Sequence, residues 1–126
     1  MKSVWKFPIQ EVTDSFKLDM PIGAKILAFQ TQKNEAERPK GFMHDNFGKK
    51  ADATPPVRDV ETPTIWAEVE LDEESGKAKY NLEKREFRLA GTGHTLDSYK
   101  CTYIYIGTTQ LYNGALVLHL YEVKRN

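Results

Sequence analysis

The sequence lacks several features that would assign it to a well-marked class of protein. Cys101 is the only cysteine among 126 residues, which excludes an internal disulfide and is typical of a reducing compartment. No stretch approaches the roughly 20 apolar residues that a membrane-spanning helix needs, and residues 1–6 contain no apolar run typical of a signal peptide. We therefore expect a cytoplasmic protein with no membrane partner.

A surplus of positive charge is also missing. Lys and Arg together number 18, as do Asp and Glu, so the formal net charge is zero. Proteins that bind duplex DNA or RNA usually carry a basic surplus, because neutralising phosphates supplies much of their affinity. We expect no duplex nucleic acid as a partner. Zero net charge removes long-range repulsion between copies and permits the homo-oligomer that we expect.

Recognisable catalytic and metal-binding motifs are missing as well. His44, His94 and His119 have no cysteine or carboxylate at the spacing of metal ligands. On a strand, His119 and Glu122 would point to opposite faces, so they cannot share a metal ion. No Ser-His-Asp order, nucleophile elbow or P-loop is present. We expect a protein that is not an enzyme and needs no metal or cofactor; an acid–base role for His94 or His119 is the less favoured alternative.

What the sequence does contain is a series of strand patterns. Strand-like segments, most with apolar and polar residues alternating with a period of two, span residues 5–9, 16–20, 65–71, 87–90, 100–111 and 115–123; residues 24–32 alternate less cleanly and suggest apolar contact on both faces. The first two segments predict a hairpin, and Pro8 predicts that its first strand lies at a sheet edge. We predict a single all-β domain over residues 1–126, with a mainly antiparallel sheet of about six or seven strands in a sandwich or barrel-like form.

Residues 33–63 interrupt this pattern. They hold four of the six prolines and many charged residues, and they show no sustained period. Phe42, Met43, His44 and Phe47 lie within six positions, and such a group rarely stays exposed to solvent. We interpret the segment as a long irregular insertion, either a surface loop or a flap that folds over a partner.

Asn113-Gly114 predicts a tight hairpin turn between the last two strands, because a type I′ turn needs positive φ at both central residues. Counting outward pairs Tyr112 with Ala115, Gln110 with Val117, Thr108 with His119, Ile106 with Tyr121 and Ile104 with Val123. One face of this hairpin then carries leucines, while the other carries Thr108, Gln110, His119 and Tyr121. The second face fits a ligand site, a subunit interface or a solvated sheet face.

Two further features are candidates for ligand binding. Residues 91–94, Gly-Thr-Gly-His, form a bend whose backbone N–H groups could hold an anion near Arg88, although a plain turn among solvated charges is the simpler interpretation. Trp66 lies on the polar side of its strand, so it is the preferred residue for stacking on a planar ligand, although core or interface is the commoner role. The candidate ligand-binding residues are Trp66, Arg88, Thr92, His94, Thr108, Gln110 and His119.

Several motifs taken as a set resemble a known family. They are Trp-Lys-Phe at 5–7, Pro-Ile-Gly-Ala-Lys at 21–25, Gly-Thr-Gly-His at 91–94, Tyr-Ile-Gly-Thr-Thr-Gln at 105–110 and Gly-Ala-Leu-Val-Leu-His at 114–119. This set resembles a family of small phage and prophage proteins that carries a domain of unknown function and whose members are usually shorter. The resemblance covers nearly all of the chain except residues 33–63. It implies a small accessory protein of a bacterial virus that acts in the host cytoplasm.

Accessory phage proteins often counter host defence, and one strategy is to capture a nucleotide immune signal. By this analogy we expect an anti-defence protein that sequesters a small phosphorylated or nucleotide-like molecule, such as a cyclic ADP-ribose or a cyclic oligonucleotide, without cleaving it. The alternative is a protein-interaction module that inhibits a host factor through residues 33–63. A small hydrolase of signalling nucleotides using His94 or His119 is less favoured.

Overall fold

A computed structural model describes residues 1–35, 59–97 and 101–126 of the chain. Its seven strands are β1 (Lys2–Pro8), β2 (Ser15–Pro21), β3 (Lys25–Glu35), β4 (Asp59–Glu70), β5 (Leu82–Gly91), β6 (Cys101–Leu111) and β7 (Leu116–Arg125). A three-stranded sheet has the order β1-β4-β3, and a four-stranded sheet has the order β2-β5-β7-β6. All pairings are antiparallel, and the two sheets pack as a sandwich rather than a closed barrel. The all-β prediction is confirmed.

Alternating apolar residues of the two sheets form the core between them. Ile65 and Ala67 of β4, Phe87 of β5 and Leu120 of β7 are all fully buried. Their neighbours in sequence face away from the core, as the period of two requires. Burying a side chain of the size of Leu or Phe contributes about 1.5–3 kcal/mol. The apolar stripe of each strand therefore determines which face of its sheet points inward.

The predicted N-terminal hairpin is wrong. β1 pairs with β4 and β2 pairs with β5, so the two strands belong to different sheets. The polar connection between them crosses from one sheet to the other: the Ile9 N–H donates to the Pro63 carbonyl at 2.8 Å, and the Leu89 N–H donates to the Asp14 carbonyl at 2.9 Å. β1 does lie at the edge of its sheet, as Pro8 predicted. An alternating pattern shows that a strand has one apolar face, but it does not identify the partner strand.

Both ends of residues 33–63, the segment predicted to be an irregular insertion, lie in strands. β3 continues to Glu35 and β4 begins at Asp59, and these two residues are register partners. Residues 33–35 and 59–63 are therefore parts of paired strands. Phe42, Met43, His44 and Phe47 lie outside the described residues, so the flap stays a prediction.

The C-terminal hairpin forms around the predicted Asn113-Gly114, but its connection has four residues rather than two. The last register pair is Leu111 with Leu116, and Tyr112, which also has a positive φ of 54°, is not paired with Ala115 as predicted. Asn113 and Gly114 have φ angles of 57° and 86°, and the Ala115 N–H donates to the Tyr112 carbonyl at 3.1 Å. These are the properties of a type I′ turn. Nearest the turn the predicted register is confirmed: Gln110 pairs with Val117, and Thr108 pairs with His119.

Farther from the turn, a β-bulge at Ile106 changes the register. Tyr105, rather than Ile106, lies opposite Tyr121, and Val123 is paired with Tyr103 instead of Ile104. The two predicted pairs beyond this point are wrong, because a bulge places one extra residue on one strand and displaces every later pair by one position. The hairpin therefore has two halves with different registers.

One ion pair lies between the sheets. The Arg85 guanidinium donates from Nε and Nη2 to the two carboxylate oxygens of Glu122, at 2.8 Å each, and its Nη1 donates to the Ala24 carbonyl at 2.6 Å. The two side chains are only 14% and 9% exposed. Hydrogen bonding to Arg85 lowers the pKa of Glu122 below its usual range, and the same pair raises the pKa of Arg85. This bidentate geometry offsets the desolvation of both charges.

Candidate functional site

Most of the predicted ligand-binding residues share one surface, the outward face of the four-stranded sheet. Thr109, Leu111, Leu118 and Leu120 are buried in the sandwich, so the residues that alternate with them point outward. We call this surface the polar face; it consists of Arg88, Thr92, Tyr103, Tyr105, Thr108, Gln110, His119 and Tyr121.

A row of hydrogen bonds crosses the polar face from β6 to the bend that follows β5. The Tyr105 hydroxyl lies 2.6 Å from Thr108 Oγ1, which lies 2.9 Å from His119 Nδ1. On the other side of the ring, His119 Nε2 lies 2.9 Å from Thr92 Oγ1. Because a hydroxyl can donate or accept, both ring nitrogens have a suitable partner in either neutral tautomer. The row holds the His119 ring and the Tyr105 hydroxyl in a defined orientation.

The bulge at Ile106 is what allows this row to form. In a regular strand, residues three apart point to opposite faces, so Tyr105 and Thr108 would lie on different sides of the sheet. The extra residue in the bulge places both on the polar face. One signal of it was present in the sequence, because an isolated glycine within a strand pattern, here Gly107, often marks a bulge.

Tyrosine rings form the aromatic part of the polar face. The Tyr121 ring meets the Tyr105 ring edge-on at 5.6 Å between centroids, and it meets the Tyr103 ring edge-on at 6.1 Å. These geometries are favourable for aromatic pairs. The three tyrosines were not among the predicted ligand-binding residues, although the sequence placed Tyr121 on this face of the hairpin.

Arg88 lies on the polar face next to Tyr121, but the fold already uses much of its guanidinium. Nη1 donates to the Asp14 carbonyl at 3.1 Å and to the Leu89 carbonyl at 2.7 Å, and Nη2 donates to the Thr95 carbonyl at 3.2 Å. The Asp14 carboxylate lies 3.6 Å from Nη1. Arg88 therefore fixes the neighbouring connections while leaving its positive charge at the edge of the polar face.

Arg125 is a more accessible cation that was not predicted from sequence. Its side chain is 62% exposed, and it donates from Nε and Nη2 to the carboxylate oxygens of Glu86 at 3.0 and 2.6 Å. Arg125 lowers the pKa of Glu86 below its usual range through this hydrogen bonding. Arg88, Tyr103 and Arg125 line a pocket of about 290 Å³ on the outward side of the sheet.

His94 lies in the bend beside the polar face and outside the hydrogen-bonded row. The His94 N–H donates to the Gly91 carbonyl at 3.0 Å, and the Gly91 N–H donates to His94 Nδ1 at 3.1 Å. Gly93 has a φ of 92°, which a non-glycine residue would adopt only with strain. A Cβ on Gly91 would lie 3.1 Å from the His94 ring, so this glycine lets the ring fold over the backbone.

Trp66 lies apart from the other predicted site residues. It belongs to β4 of the three-stranded sheet, with Lys6 and Ala28 as register partners. Since Ile65 and Ala67 are buried in the core, Trp66 points outward from that sheet, away from the polar face. The predicted grouping of Trp66 with the other six is corrected accordingly, because its strand pattern did not specify which sheet it would join.

His119 and Glu122 lie on opposite faces of β7, as expected from their spacing: one joins the polar face and the other joins the interior ion pair. In the part of the chain that the structure describes, no group of three or more His, Cys, Asp or Glu residues is placed to hold a metal ion. The described segments also contain no helix long and apolar enough to cross a membrane.

Comparison with known proteins identifies a family. Residues 1–126 match the family model described as Domain of unknown function (DUF7352). No curated protein and no solved structure matches the chain. Because the matched range spans the whole chain, the protein belongs to the family with this domain of unknown function.

Proposed function

We propose that the polar face binds a small nucleotide-derived molecule and holds it without cleaving it. The observation that carries this proposal is the convergence, on one sheet face, of the three tyrosine rings with the hydrogen-bonded row. Aromatic rings provide stacking area for a base, and hydroxyl groups exchange hydrogen bonds with its polar edges. The nearby guanidinium groups of Arg88 and Arg125 favour phosphate.

The tyrosines are presented in fixed positions. Tyr105 is 57% exposed, yet its hydroxyl bonds to Thr108 and its ring packs edge-on against Tyr121. The Tyr103 hydroxyl donates to the Asp97 carbonyl at 2.8 Å. Side chains that are already ordered lose less entropy when a ligand arrives, which raises affinity without adding contacts.

The partners of His119 favour binding over hydrolysis. A histidine that acts as a general base is commonly oriented by a carboxylate, as in the Ser-His-Asp arrangement. Within the described residues, the hydrogen-bond partners of His119 are the hydroxyls of Thr92 and Thr108. We infer that His119 orients the Thr92 and Thr108 hydroxyls toward the ligand edge and takes no part in proton transfer.

The resemblance to small phage and prophage proteins supports the choice of ligand. We propose that the protein acts in the host cytoplasm as an anti-defence sponge, as a homo-oligomer, and that its ligand is a nucleotide immune signal such as a cyclic ADP-ribose or a cyclic oligonucleotide. A protein that sequesters a ligand must bind it tightly and must have one site for each ligand molecule that it removes. The polar face supplies such a binding surface on each copy.

Calorimetric titration of the full chain with a panel of nucleotide signals tests this proposal. We expect one compound to bind saturably. Tyr105→Ala and Tyr121→Ala should each weaken its binding about 5- to 150-fold, because stacking contributes about 1–3 kcal/mol per base. Trp66→Ala, on the other sheet, is the matched control and should leave the dissociation constant unchanged.

Mass spectrometry of the bound compound completes the test. After heat denaturation the released ligand should have its original mass. A changed mass would show hydrolysis and overturn the sequestration proposal. No heat of binding with any nucleotide would exclude the proposal and favour the inhibition of a host protein, which a pull-down with residues 36–58 present and absent would then examine.

A further inference from the structure

A pocket of about 450 Å³ opens beside the polar face, where β5 ends. β5 and β7 pair as far as Gly91 and Leu118, and the bend at residues 91–94 then turns the chain away. Residues 115–117 therefore have no partner on β5, and they line the pocket together with residues 12–14. Thr92 lines this pocket and also bonds to His119, so the pocket and the polar face are adjacent.

The pocket differs from the polar face in charge. Val12, Leu89 and Leu116 give it apolar walls, and Asp14 is its carboxylate. Of the described residues that line it, none is Lys or Arg. The Asp14 carboxylate already pairs with the Arg88 guanidinium at 3.6 Å, so this pocket offers a phosphate no unpaired cation among its described lining residues. The pocket therefore suits an uncharged group that has apolar surface and can donate hydrogen bonds.

Two polar groups at the pocket have defined hydrogen-bonding roles. His94 Nδ1 accepts from the Gly91 N–H, so the neutral ring carries its proton on Nε2 and can donate from there. The Asp14 carboxylate only accepts, and its backbone is held by the bonds from Leu89 and Arg88 to its carbonyl. An acidic side chain that accepts from sugar hydroxyls is a common means of recognising ribose.

Asp14 also connects this pocket to the arginine-lined one. It lines the smaller pocket of about 290 Å³ together with Arg88 and Arg125. A ligand seated with its sugar at Asp14 would have its phosphates directed toward these guanidinium groups. Along the surface, the apolar pocket is followed by the Asp14 carboxylate and then by Arg88 and Arg125, of which Arg125 is also paired with Glu86.

We infer that the larger pocket binds a ribonucleoside unit whose free ribose cis-diol donates to Asp14, with the attached diphosphate toward Arg125. This inference rests on the proposed function and narrows its ligand to the ADP-ribose class. A 3′,5′-linked cyclic oligonucleotide has no free cis-diol, because its 3′ oxygen is part of the phosphodiester. The protein therefore prefers ADP-ribose-type ligands to cyclic dinucleotides.

Titration with ADP-ribose and with cyclic di-AMP, as two defined probes, tests the preference. We expect ADP-ribose to bind more tightly, and Asp14→Asn to weaken its binding about 10-fold or more, since hydrogen bonds to a charged group are among the stronger ones. Asp19→Asn is the control, because that carboxylate is likewise exposed and ion-paired, in its case with Lys84, but does not line the pocket. Circular dichroism confirms that both variants fold.

Amide shifts in NMR spectra locate the probe independently of the substitutions. ADP-ribose should shift the signals of Thr92, His94 and Leu116. Tighter binding of cyclic di-AMP, an unchanged ADP-ribose affinity in Asp14→Asn, or shifts confined to the tyrosines would overturn this inference and leave the proposed function standing. Failure of both probes and of the whole nucleotide panel would instead remove the proposed function itself.

Discussion

In both sheets, inward-pointing and outward-pointing residues alternate with a period of two, but the two outward faces differ in chemistry. On the three-stranded sheet, long side chains meet in exposed contacts: Lys2 Nζ lies 3.5 Å from a Glu68 oxygen, and Lys6 Nζ donates to Gln32 at 3.0 Å. The four-stranded sheet has exposed charged pairs too, such as Lys84–Asp19, but it also has short hydroxyls and rings joined in one row. Flexible charged pairs keep a sheet face solvated, whereas a fixed row of donors and acceptors prepares it for a ligand.

Both sheets have exposed ion pairs, such as Lys84–Asp19 on the four-stranded sheet, but the four-stranded sheet also has an interior one. The Lys2–Glu68 pair is exposed to solvent, while the Arg85–Glu122 pair of the four-stranded sheet faces the interior. An exposed pair contributes about 0–1 kcal/mol, but removing one partner of a buried pair leaves an uncompensated charge. The same residue types therefore have very different energetic weight on an outward face and in the interior of the sandwich.

The largest expected effect comes from breaking the interior pair. Glu122→Leu should lower the free energy of unfolding by about 3–5 kcal/mol, because the Arg85 guanidinium stays buried without its carboxylate. Glu68→Leu, the matched change on the other sheet, should cost less than about 1 kcal/mol. Denaturant unfolding measures both. Adding Arg85→Leu to Glu122→Leu should recover much of the loss, and equal effects of the two single variants would contradict the contrast between the sheets.

Measuring the unfolding free energy over a series of pH values tests the same ion pair without replacing either side chain. Since the pKa of Glu122 is lowered in the folded protein, its contribution is present above the unfolded-state pKa of about 4.3 and is lost as the pH falls through the lower folded-state value. We expect the unfolding free energy of the wild type to fall on this acid side. In Glu122→Leu that decline should be shallower, whereas Glu68→Leu should keep the slope of the wild type.

Removing a hydroxyl from the row should have a smaller effect. Thr108→Val keeps the shape of the side chain but breaks its bonds to Tyr105 and His119, and should destabilise the fold by about 1 kcal/mol. Thr92→Val breaks one bond and should cost less. Nitrogen shifts of the His119 ring should change in both variants. If they did not, the row would not be holding the ring.

The smallest effect is expected at an exposed contact on the three-stranded sheet. Lys6→Met removes the hydrogen bond to Gln32 while keeping the aliphatic part of the side chain. The unfolding free energy should change by no more than about 0.5 kcal/mol, and ligand affinity should be unchanged. A loss comparable to that of Thr108→Val would show that both outward faces contribute equally to stability.

Local signals in the sequence predicted the strands and much of the polar face. The Asn113-Gly114 turn and the period of two were enough to pair Thr108 with His119 and to bury the leucines of the hairpin. Residues 85, 87 and 89 lie on the same face of a strand, so the inward-pointing Phe87 and Leu89 indicated that Arg85 also points inward. The prediction did not assign Arg85 to the interior. These features depend on neighbours along the chain or across one tight turn.

Other features depended on contacts that no local pattern encodes. β1 and β2 both have one apolar face, and either could have paired with the other; the sheet that each joined was decided by long-range packing. Trp66 was separated from the polar face for the same reason. The bond from His119 to Thr92 joins residues 27 positions apart, and only the pairing of β5 with β7 brings them together.

The bulge in β6 has a consequence for changes in chain length. Tyr105 pairs with Tyr121 and Gly107 pairs with Leu120, so Ile106 is the extra residue between two consecutive pairs. A chain lacking Ile106 would keep every other β6 residue on its present face. A deletion elsewhere in β6 would turn the residues between it and the bulge to the wrong side. The strand thus has one position where a relative could be a residue shorter and still present the same surface.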